Sequence, residues 1–107
     1  MKLSVLERIL ILDSLPKENN IITLKVIRYI KEMVGFNEDE LKALNFKTVE
    51  KDGKPFTTWD DAAIKERDIA LGEKAIDIIA DSLKKMNEQK KLTENHITLY
   101  EKVMVND

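Results

Sequence analysis

The stretch from Ile64 to Leu92 constrains this chain most, because its apolar repeat is long enough to act as a scaffold for everything else. Ile69, Gly72, Ile76, Ile79, Leu83 and Met86 recur at alternating three- and four-residue steps, and Ala75 and Ile78 widen the stripe they make. Glu73, Asp77, Asp81, Lys84, Lys85 and Glu88 fall mostly on the other side. The spacing predicts a long helix over residues 61–88, starting at Asp61 with Thr58 or Asp60 as its cap. Gly72 is in register with Ile69 and Ile76, so it reads as a close crossing of another backbone rather than as a break into two helices. Such a stripe is not stable in open water, and the rest of the chain must cover it.

The covering elements can be read in order. Ser4-Val5-Leu6-Glu7 has the form of a capping box, so a helix starts there; it is apolar nearly all round and stops near Ser14 because of Pro16. After the polar loop through Asn19 and Asn20, a second helix runs from Ile21 or Thr23 to Val34, with Leu24, Ile27, Ile30 and Val34 on its inner face. Gly35 is expected as its left-handed terminator. Asn37 caps a third helix, with Glu40 completing a second capping box and Phe36 stapling onto Leu41, and this helix ends near Leu44 and Asn45.

The period then changes from helix to strand. Runs at 46–50 and 56–59 flank Lys51-Asp52-Gly53-Lys54, and Asp-Gly is the favoured centre of a two-residue hairpin turn. That turn sets Val49 opposite Phe56 and Phe46 opposite Trp59, the two pairs on opposite faces, with Pro55 marking an edge. A last helix is capped by Thr93, stapled by Leu92 on Ile97, and offers Ile97, Tyr100 and Val103 or Met104 to the core. The expected fold is mainly α: a compact helical domain of about five helices, with one β-hairpin inserted between helices three and four.

Composition narrows the function. The 107 residues suit one domain, residues 1–107, and 18 basic against 20 acidic residues leave a net charge of -2, with no global field for nucleic acid or an anionic membrane. With 0 Cys there is no disulfide, thiolate metal site or cysteine nucleophile. The first helix is too short and too charged to span a membrane, and the chain reads as cytosolic and complete.

No catalytic constellation stands out. His96, the single imidazole, reads as a surface or partly packed residue, and the carboxylates at 38–40 and 60–61 read as helix N-terminal charges rather than metal ligands. No metal site and no cofactor are expected. Three helices and a hairpin permit a winged-helix reading with the helix from Asn37 to Leu44 as the recognition helix and Lys51 to Lys54 as the wing tip. Its first turn, Glu38-Asp39-Glu40, would repel phosphate, so nucleic acid is not the expected partner. The candidate binding residues are Val49, Phe56 and Trp59 on the hairpin, since one layer of helices cannot cover both of its faces. Lys84 and Lys85, with Lys90 and Lys91, form a basic concentration that either complements a helix C-terminus or rims a site for a small anionic ligand.

Taken together, Leu3-Ser4-Val5-Leu6-Glu7-Arg8 through Leu15-Pro16-Lys17-Glu18, Trp59, Gly72-Glu73-Lys74 and Leu92-Thr93-Glu94-Asn95-His96 resemble a group of small bacteriophage and prophage accessory proteins. Related chains carry glycine after Lys17-Glu18 where this one has Asn19-Asn20, which also suits a left-handed turn. The resemblance implies no activity. By analogy it implies a non-enzymatic accessory protein acting in the cytoplasm of an infected or lysogenic bacterium, which binds a host or phage protein and inhibits or sequesters a host defence component, as a homo-oligomer. A winged-helix-like DNA-binding regulator and a structural, oligomeric phage protein are the alternatives; a hydrolase or nuclease built on the carboxylates would need a metal.

Overall fold

A computed structural model describes residues 1–60 and 66–106. Among them the order of elements is β1 (Lys2–Leu3), α1 (Val5–Ser14), α2 (Ile21–Val34), α3 (Glu38–Leu44), β2 (Lys47–Lys51), β3 (Lys54–Thr58), β4 (Arg67–Asp68), α4 (Glu73–Glu88) and α5 (Ile97–Asn106), the last entered through a 3-10 turn at Glu94–His96. Five α-helices and a hairpin between α3 and α4 give the mainly α architecture expected from the sequence.

Both capping boxes form. The Ser4 hydroxyl accepts the Glu7 amide at 3.1 Å while Glu7 Oε1 accepts the Ser4 amide at 2.9 Å, and Asn37 and Glu40 repeat the exchange at 2.8 and 3.1 Å. Asn20 caps α2 by accepting the Thr23 amide at 2.9 Å, which fixes the helix start at Ile21. Gly35 is not left-handed: its φ of -65° and ψ of 170° are extended. Glycine is needed there for room, since a Cβ would lie 2.5 Å from the Lys31 carbonyl oxygen. The left-handed terminator is instead Asn45 at the end of α3, with φ 49°.

The long helix is shorter than the repeat suggests. A start at Asp61 lies outside the described residues, but Arg67–Asp68 is a strand that pairs antiparallel with Lys2–Leu3, and α4 begins only at Glu73. Thr58 is not a helix cap; it belongs to β3. Gly72 is the N-cap of α4 and the space beside it is open, so no backbone crosses there. The Met1 ammonium reaches Asp68 Oδ1 at 3.0 Å and the Ile69 carbonyl at 3.1 Å, and the Ile69 amide returns a bond to the Met1 carbonyl at 2.9 Å. These bonds hold 67–69 extended while Ile69 still reaches the core.

The seam on α4 itself is covered. Ala75, Ile79, Ala80 and Leu83 are buried, with Ile76, Ile78 and Met86 partly so, under Ile11 and Leu15, Ile27, Ile30 and Val34, and Leu99 and Val103. On α5 the core residue is Leu99 rather than Ile97, which is 54% exposed. The 3-10 entry rotates the first turn of α5 away from its expected phase, because His96 Nδ1 accepts the Thr93 amide at 3.0 Å and takes the third position of the capping box.

Candidate binding surface

The hairpin is an arm built on an aromatic and ionic base. Arg8, on a mostly apolar helix, is fully buried; its Nε donates to the Val34 carbonyl at 2.9 Å and Nη2 to the Gly35 carbonyl at 2.6 Å, satisfying the open end of α2. The same guanidinium binds Glu40 through Nη1 at 2.7 Å and Nη2 at 3.1 Å, and lies 4.1 Å from the centre of the Phe36 ring. Phe36 meets Phe46 edge-on at 5.3 Å, and Phe46 meets Trp59 at 6.0 Å. The Asp60 amide closes the base of the arm on the Leu44 carbonyl at 2.8 Å.

Beyond that base the arm is exposed along both strands. The register is Lys47 opposite Thr58, Val49 opposite Phe56 and Lys51 opposite Lys54, around an Asp52-Gly53 turn with φ of 53° and 76°, the left-handed pair that a type I′ turn requires. Every residue from Lys47 to Thr57 is exposed, Val49 at 38% and Phe56 at 44%. Trp59 belongs to the other face and is half-buried against Phe46, its indole N–H buried without a hydrogen-bond acceptor among the described residues. The structure therefore separates the hairpin aromatics: Trp59 anchors the arm and Phe56 is presented.

Lys84 and Lys85 lie elsewhere, on the last turns of α4, where Lys85 lines a shallow cleft with Pro16, Asn19, Thr23 and Asp81. They do not join the arm. His96 is buried and its Nδ1 is engaged at the cap, so it serves α5. Among the described residues no three histidine, aspartate or glutamate side chains converge as a metal would require, and no helix is long and apolar enough to cross a membrane. In the first turn of α3, Glu38 and Asp39 face solvent while Glu40 is held by Arg8.

A second ionic cluster ties α1 to α5. Glu7 is buried and its Oε1 accepts from Lys102 Nζ at 2.8 Å; Lys102 also donates to the Lys2 carbonyl at 2.9 Å and to Glu66 at 3.0 Å. Burial acts to raise the Glu7 carboxyl pKa, but the bonds from Lys102 and Ser4 outweigh it and leave the group below its ordinary 4.5. The Arg8 hydrogen bond lowers Glu40 from the same value. Burial acts to lower Lys102, yet its bonds to Glu7 and Glu66 leave it above 10.5. Both carboxyls bind protons less readily folded than unfolded, so their contribution is present above about pH 4.5 and is lost as pH falls through the lowered values. The Lys102 contribution is complete below 10.5 and disappears only as pH climbs past the raised value. Urea midpoints should therefore hold steady around neutrality and fall on the acid side, with a shallower acid limb in a Glu7→Gln, Glu40→Gln variant; an unchanged limb would remove these two groups as its cause.

Neither Glu7 nor Arg8 stands out among the binding candidates read from the sequence, although a signal exists. A helix apolar on nearly every side cannot keep two adjacent charged residues, about 100° apart around its axis, both in water. Comparison with family models, with curated proteins and with solved structures finds no match to this chain.

Proposed function

We propose that the protein works by stoichiometric, non-catalytic binding through the outer face of the β2–β3 arm, as a phage-type accessory protein in the bacterial cytoplasm that sequesters or inhibits a host component. The observation that carries this reading is the arm itself. A two-stranded ribbon is marginal alone, and Val49 and Phe56, paired across it, keep 38% and 44% of their surface exposed. An exposed aromatic held out on a ribbon whose base is fixed by Arg8, Phe36, Phe46 and Trp59 suits a contact residue better than a core residue.

Self-association through α2 is part of the same proposal. Ile22, 71% exposed, lies on a stripe with Val26 and Tyr29, and Val26 and Tyr29 form one wall of a largely apolar groove whose other wall is Gly72 to Ala75. None of the residues lining that groove belongs to the arm.

A photo-crosslinking side chain at position 56, in the full-length protein in bacterial extract, is expected to give a discrete adduct that unlabelled protein competes away and a Phe56→Ser variant does not. The same group at exposed Glu88 on α4 should give none. Equal labelling from both positions, or none from 56, would count against the arm. Sedimentation of the purified chain reports the second copy, and a sharp monomer at high concentration removes that part of the proposal.

A further inference from the structure

The geometry points to single-stranded nucleic acid as the partner of the arm's outer face, with Phe56 stacking on a base and Lys47, Lys51 and Lys54 meeting phosphates; this rests on the arm being the contact element. Alternation along the strands sorts the arm's charges. Lys47, Val49 and Lys51 of β2 share a face with Lys54, Phe56 and Thr58 of β3, while Glu50 and Pro55 point the other way and Asp52 sits in the turn. The face is thus an apolar centre bracketed by cations, with no carboxylate on it.

The pairing carries an electrostatic cost. Lys51 and Lys54 are directly opposite, an arrangement that destabilises a ribbon, and neither they nor Lys47 has an ion-pair partner among the described residues. An anionic ligand relieves that repulsion. Lys47 and Lys51 are four residues apart, about 13 Å along an extended strand, so the cations flank whatever lies on Phe56 and Val49. A polyanion with flat, apolar faces between its charges matches this spacing, and an unpaired nucleotide strand is such a polymer.

Duplex DNA fits less well. Its bases are stacked on one another and offer Phe56 no free face, and α3, the helix that would enter the groove in a winged-helix arrangement, begins with exposed Glu38 and Asp39. An acidic protein surface would satisfy the lysines without needing a stacking ring, which gives the experiment its control.

The test is fluorescence anisotropy of the full-length chain with labelled oligothymidylate and oligouridylate of about 12 nucleotides. Binding of either supports the inference, and the difference between them reports the 2′-hydroxyl. Affinity in the range of about 10⁻⁴ to 10⁻⁶ M is expected, with a slope of log affinity against log salt near -2 for three phosphate contacts. Phe56→Ala should weaken binding by about tenfold or more, and the Lys47, Lys51, Lys54 triple alanine variant should abolish it. Unchanged Trp59 emission in the free variants shows that the base of the arm is intact. Failure of both oligomers to bind overturns the inference, and so does competition by polyglutamate as effective as by the oligomer, or a duplex bound as tightly with Phe56→Ala indifferent. If the oligomers fail while position 56 still crosslinks a protein, the arm reading stands and only its nucleic-acid partner falls; if they bind and neither variant weakens them, the arm is not their site.

Discussion

Replacing Arg8 by alanine is expected to cost about 3–5 kcal/mol of stability, against a total of about 5–15 kcal/mol for a domain of this size. The cause is what stays behind. Removing the guanidinium leaves the buried Val34 carbonyl and the part-buried Gly35 carbonyl without that donor and Glu40 with only the Asn37 amide and the more distant Arg67, and it takes away the cation lying on Phe36. Lysine should not rescue it, because one ammonium cannot reproduce a planar fork that reaches two backbone oxygens and both oxygens of Glu40. Glu40→Gln should cost less than either, since the amide retains an acceptor for the fork and the Asn37 exchange can survive. Because Phe36 leads through Phe46 to Trp59, the alanine variant should also alter Trp59 emission before the helices melt. Urea denaturation followed by circular dichroism and by fluorescence checks both statements. A loss of less than about 1 kcal/mol would mean that the corner is held by packing rather than by the guanidinium.

That residue also marks where sequence reading stops. The elements set by local chemistry were legible: the caps at Ser4 and Asn37, the Asp52-Gly53 turn and the Val49 to Phe56 register all follow from a few adjacent residues. What depended on distant partners was not. Ile69 satisfies a helical repeat and an extended segment equally well, and the choice was made more than sixty residues away: Lys2 and Leu3 pair with Asp68 and Arg67, and Met1 exchanges hydrogen bonds with Ile69. Gly72 looked like the middle of a helix for the same reason, although it is the start of one. On the candidate surface, alternation correctly separated Phe56 from Trp59, but which of them turns outward depended on Phe36, a residue on another element. The three lysines on one ribbon face follow from the register and could have been sorted from it; Arg8 required knowing that α1 is buried on the side toward α2 and α3.

Shortening Ile79 to alanine is expected to cost about 2–5 kcal/mol and to valine about 0.5–1.5 kcal/mol, the two together measuring how tightly the central seam is filled. Ile79 is fully buried at the middle of α4, one turn from Ala75 on one side and from Leu83 on the other, and α4 packs against α1, α2 and α5. Ala75 and Ala80 beside it are buried as well, and a close-packed interior collapses only in part round missing methylenes, so a cavity should persist. Ile76, only partly buried on the same helix, supplies the comparison: its alanine variant should lose distinctly less, because part of its surface is already in water. Neither change touches the arm, so oligonucleotide anisotropy and the position-56 adduct should be unaffected wherever the protein is still folded. Chemical denaturation of the four proteins gives the order. Should Ile76→Ala prove as damaging as Ile79→Ala, the seam would not run where the burial places it, and the separation of a stabilising helical body from a binding arm would lose its physical basis.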